Sequence, residues 1–73
     1  MEKKLIARWE SQRSRDWVEL WHDDFGYFYH GNTCRGWFGD GPLPLVMKFM
    51  EQETATGMQM FCSQKSPMKR VEV

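Results

Sequence analysis

Residues 17–38, WVELWHDDFGYFYHGNTCRGWF, constrain the fold more than any other part of this chain. They hold three of its four tryptophans, both tyrosines and both histidines, so any core must be built largely here. Two runs rich in aromatic and branched residues flank Asp23-Asp24-Phe25-Gly26, which is the pattern of a β-hairpin. Asp at the first turn position and Gly at the fourth suit a type I turn followed by a left-handed residue. With Asp23 facing Tyr27 across a three-residue loop, His22 pairs with Phe28, Trp21 with Tyr29 and Leu20 with His30. Alternation then places Trp17, Glu19, Trp21, Tyr27 and Tyr29 on one face, and Val18, Leu20, His22, Phe28 and His30 on the other. Both faces are substantially apolar, unlike a sheet with one side in water.

The flanking segments are read against this ribbon. In residues 1–14, Leu5, Ile6 and Trp9 have helical spacing, but the stripe stops there and no capping residue follows. As a strand, Leu5, Ala7 and Trp9 share one face and residues 12–15 form a polar loop, and this reading is preferred. Gly31, Gly36, Gly39 and Gly41 interleave with Trp37 and Phe38, as expected of a bulged strand running to about Phe38 and a tight loop. Asp40-Gly41-Pro42-Leu43-Pro44 opens a helix, since proline is tolerated in a first turn. Leu45, Val46, Phe49 and Met50 form its apolar stripe and Gly57 its C-terminal cap. Residues 58–63 suit a last strand, and residues 68–73 a short edge strand or a tail. The expected fold is α+β: a small antiparallel sheet of three to four strands, a β-meander, with one α-helix packed on one face.

A length of 73 residues allows a single domain, 1–73. At this size one core contributes about 3–5 kcal/mol net, so a staple, a metal or a partner subunit is often needed. Hydrophobic residues make up 41% of the chain, which argues against disorder. Ten basic and ten acidic residues cancel, so no strong field points to nucleic acid or membrane, and one protection against self-association is missing. Cys34 and Cys62 are too few for a disulfide framework of the secreted type, and the N-terminus lacks the apolar run of a signal peptide. No run approaches transmembrane length, and the expected location is the cytoplasm.

No motif identifies a reaction, and no enzymatic activity and no cofactor are expected. Asp23 and Asp24 resemble paired carboxylates, but a turn explains them, because Asp stabilises turns through its own side chain. A cysteine with a histidine could pair as nucleophile and base, yet so short a chain seldom encloses the pocket such chemistry needs. Gly31 and Gly36 have phosphate-loop spacing, but Trp37 stands where the lysine is required. His22, His30 and Cys34 are the candidate metal ligands of a small His/Cys metal-binding domain, although their spacing matches no established zinc pattern.

The aromatic face is the sharper signal. Trp17, Trp21, Tyr27 and Tyr29, with Arg8, Arg15 and Arg35 around them, form the candidate binding surface. One helix of about three turns covers one face of such a sheet, so a helix on the Val18/Leu20 side leaves the other side needing a cover. Tryptophan, tyrosine, methionine and arginine are enriched at interfaces. The expected function is therefore an interaction or regulatory module acting on a protein partner or on itself as a homodimer. The alternative is a single-stranded nucleic-acid binding module that stacks bases on the same rings.

Overall fold

A computed structural model of the protein describes residues 2–57 and 66–73. Five strands and one helix follow in the order β1 (Lys4–Glu10), β2 (Trp17–Asp23), β3 (Gly26–Gly31), β4 (Arg35–Gly39), α1 (Leu43–Ala55) and β5 (Lys69–Val71). All neighbouring strands are antiparallel, in the spatial order β4-β3-β2-β1-β5. The protein is thus an α+β fold with a β-meander at its centre. One more strand is present than the sequence suggests, because the stretch expected as a single bulged strand continuing to about Phe38 turns back at residues 32–34 and becomes the antiparallel pair β3 and β4. Residues 69–71 pair with β1 and take the edge-strand option. The strand expected at residues 58–63 lies outside the described residues.

The hairpin register differs from the expected one by a single residue. Asp23 pairs with Gly26, not Tyr27, leaving a two-residue turn of Asp24 and Phe25. The Phe25 amide donates to Asp23 Oδ1 at 2.8 Å, and Gly26 sits at φ 121°, where a side chain is strained. Its missing Cβ also matters sterically, since that atom would lie 2.3 Å from the Gly39 carbonyl oxygen. A shift of one residue turns every β3 side chain to the other face. Tyr27 and Tyr29 therefore stand opposite His22 and Leu20, and Phe28 and His30 opposite Trp21 and Glu19. A second shift occurs in β1, where Ile6 is the extra residue of a bulge: Leu5 pairs with Trp21, and Ala7 with Leu20. Leu5 consequently does not share a face with Ala7 and Trp9, as strict alternation would have it.

Helix α1 begins after Pro42, with a proline in its first turn, and ends at Thr56 and Gly57, the latter at φ 76°. It covers the sheet face that carries Ala7, Trp9, Val18, Leu20 and Tyr29, closing a core with Val46 and Met50. Met68 completes this core, and its amide donates to the Thr54 carbonyl at 2.8 Å, tying the β5 segment to the helix end. Trp9, which shares a face with Ala7, is fully buried; its indole N–H reaches Glu51 Oε2 on the helix at a long 3.4 Å. Gly36 makes room for Tyr29, because a Cβ there would lie 2.3 Å from the phenol ring. Of the predicted helical stripe, Val46 and Met50 are buried and Phe49 is half-buried, while Leu45 is 63% exposed.

Candidate functional site

The sheet face away from the helix has a composition set by cross-strand register. Residues directly opposite one another share a face, so pairing partners line up in rows across the strands. One row is Leu5, Trp21, Phe28 and Trp37, running through β1, β2, β3 and β4. At a strand spacing of about 4.8 Å it extends roughly 15 Å. The next row is Arg8, Glu19, His30 and Arg35. Trp17, opposite Glu10, begins a third. An apolar row bordered by a polar one is therefore the plan of this face.

The rings are held in defined geometries. Phe28 and Trp37 are stacked, with centroids 5.3 Å apart and planes 10° off parallel, and Trp37 remains 57% exposed. Trp17 meets the His30 ring edge-on at 5.8 Å. Lys3 Nζ lies 5.0 Å from the Trp21 ring centroid, and the Arg8 guanidinium 4.8 Å from that of Trp17, both within cation–π reach. Glu19 knits the face together: it accepts from the Trp21 indole at 3.0 Å and from Arg8 at 2.5 Å. Arg8 also donates to Glu10 at 2.7 Å. The bond to Glu10 first, and that to Glu19 after it, raise the Arg8 pKa above its ordinary value against the opposing effect of burial. The guanidinium is charged at any working pH, so this face carries no proton switch through Arg8.

Trp17, Trp21, Arg8 and Arg35 of the predicted surface come together here. Tyr27 and Tyr29 do not, because the two-residue turn sends them under the helix, where Tyr29 is buried and stacks at an angle on Phe38. Phe28 and Trp37 take their place. Arg15 lies in the β1–β2 loop at φ 62°, off the sheet face. The same register separates the candidate metal ligands: His22 sits on the helix side against Tyr27 at 4.5 Å, and His30 on the open side. Among the described residues no group of three His, Cys, Asp or Glu side chains is placed to hold a metal ion. No helix among them is long and apolar enough to cross a membrane.

One end of the face is locked by a network that pattern reading does not reveal. Asp16, buried between β1 and β2, accepts from Asn32 Nδ2 at 2.9 Å and from Ser14 Oγ at 2.8 Å. Asn32 Oδ1 in turn accepts from the Trp17 amide at 2.9 Å. The β1–β2 and β3–β4 loops are thereby bound to each other next to Trp17. The only hint in the sequence is that Asp and Asn occur in two separate polar loops.

Fold and face together define a small α+β domain with a preorganised aromatic surface on the side its helix leaves open. Comparison with protein-family models, curated proteins and solved structures finds no match to this chain.

Proposed function

We propose that this protein is a non-catalytic interaction module that binds another protein through the open sheet face centred on Trp21, Phe28 and Trp37. The observation carrying this reading is the four-strand apolar row with its stacked Phe28–Trp37 pair on a face that no element among the described residues covers. Large accessible apolar patches on folded domains mark interfaces, and tryptophan and arginine anchor them. The polar row favours a protein partner over single-stranded nucleic acid. Its central carboxylate, Glu19, already engages Arg8, whose other partner is Glu10. Phosphates approaching the rings would meet this acidic pair, and the net charge of the chain is zero. The reading places the module in the reducing cytoplasm, with Cys34 as a thiol.

Affinity capture with wild type, Trp21→Ala and Phe28→Ala as matched baits tests the proposal. The expected result is a partner retained by wild type and lost with both variants, and no oligonucleotide binding at low or high salt. Salt-sensitive oligonucleotide binding that Arg35→Ala weakens would replace the protein partner by a nucleic-acid strand.

A further inference from the structure

The two edges of the sheet are built differently. On the β5 side the edge strand has three residues, two of them Lys69 and Arg70, and Pro67 stands just before it. The part of β1 extending past β5 carries Lys4 and the bulge at Ile6. Lysine, proline and bulges are devices that block strand addition. On the other side, the β4 stretch Arg35-Gly36-Trp37 has neither proline nor lysine, and the bulge of β4 falls after it, at Phe38.

The backbone of this stretch is directed in a known sense. The Gly31 amide donates to the Cys34 carbonyl at 2.7 Å, so Cys34 faces β3. Peptide groups alternate sides along an antiparallel strand, which turns those of Gly36 toward β3 and those of Arg35 and Trp37 toward the outer edge. The side chains at these two positions also look outward onto the open face. Trp37 is the most exposed of the chain's tryptophans, and the Arg35 guanidinium has no ion-pair partner among the described residues.

We infer that β4 is the seam of a homodimer, in which β4 of a second copy adds antiparallel about a two-fold axis at Gly36. In that register Arg35 stands opposite Trp37 of the second copy, and Trp37 opposite its Arg35. These are the hydrogen-bonding positions, so every outward N–H and C=O of the stretch finds a partner. Each Arg35 guanidinium meets an exposed indole across the seam, a cation–π contact made twice by symmetry. Gly36 faces Gly36 in the non-hydrogen-bonded position, where antiparallel strands approach most closely. The strand is thus complementary to itself in hydrogen bonding, charge and size, and a net charge of zero leaves no overall repulsion between copies. The dimer is one continuous sheet with both helices on one side and both aromatic faces on the other.

Sedimentation velocity from about 1 µM to about 500 µM tests the seam, because dimer formation follows mass action. The mass of wild type is expected to rise from 8.8 kDa to twice that value. Arg35→Pro removes an outward N–H and leaves the β3 ladder intact, and Trp37→Lys sets an ammonium opposite Arg35; both are expected to stay at the single-chain mass with unchanged far-UV circular dichroism. Trp21→Ala, which damages the open face but not the edge, is expected to dimerise like wild type. The inference is overturned by a wild type that keeps the single-chain mass throughout, by a doubled mass in folded Arg35→Pro or Trp37→Lys, or by loss of the doubled mass in Trp21→Ala. Partner capture by the open face is read separately and survives failure of the seam, except that loss of the doubled mass in Trp21→Ala would make a second copy the occupant of that face.

Discussion

Asp16 shows how much of this protein depends on one side chain in a loop. It is 6% exposed and receives hydrogen bonds from both Ser14 and Asn32, across two connections far apart in sequence. Hydrogen bonds to a charged group contribute about 1.5–3 kcal/mol each, and removing the acceptor leaves the Asn32 amide without this partner in a half-dry loop. Asp16→Ala is expected to cost about 2–3 kcal/mol, read as a urea midpoint lowered by about 2–3 M at an m-value of about 1 kcal/mol/M. A loss below a few tenths of a kcal/mol would show that the two loops hold without it. Arg15, beside it, takes the left-handed conformation that only glycine adopts at no cost.

At the scale of the element, the decisive feature is the turn between β2 and β3. Asp-Asp-Phe-Gly is compatible with a two-residue or a three-residue connection, and the two give opposite faces to Tyr27, Phe28, Tyr29 and His30. Steric fit decides between them. Gly26 lies against the Gly39 carbonyl, and Gly36 lies under the Tyr29 ring, an arrangement available only when Tyr29 points toward the helix. Gly26→Ala combines a strained φ with a clash against the Gly39 backbone. A loss of at least about 2 kcal/mol is expected, measured by thermal or urea unfolding. An unchanged midpoint would mean that the turn relaxes into the longer connection, which the amide shifts of Tyr27 to His30 would also register.

At the scale of the molecule, the described residues set one helix of thirteen residues against a five-stranded sheet, and the tryptophans divide accordingly. Trp9 fills the covered side and Trp37 stands on the open one. Trp9→Ala is expected to cost about 3–5 kcal/mol, the whole net stability of a core this small, and so to abolish the cooperative unfolding transition. Trp37→Ala is expected to cost about 1 kcal/mol or less, mainly the stack on Phe28. Similar losses for the two would contradict the division between a packed face and an open one. The α+β class, the hairpin, the helix with its proline start and glycine end, and the surplus of aromatic side chains over what one helix can cover all follow from residue order. They rest on local periodicity, turn chemistry and area, which a linear chain already contains. Which rings stand on the open side was decided only by the tertiary structure. The side of each β3 residue hangs on a one-residue register that fits Gly26 against the Gly39 backbone and Gly36 against the Tyr29 ring, and no local pattern encodes those distances.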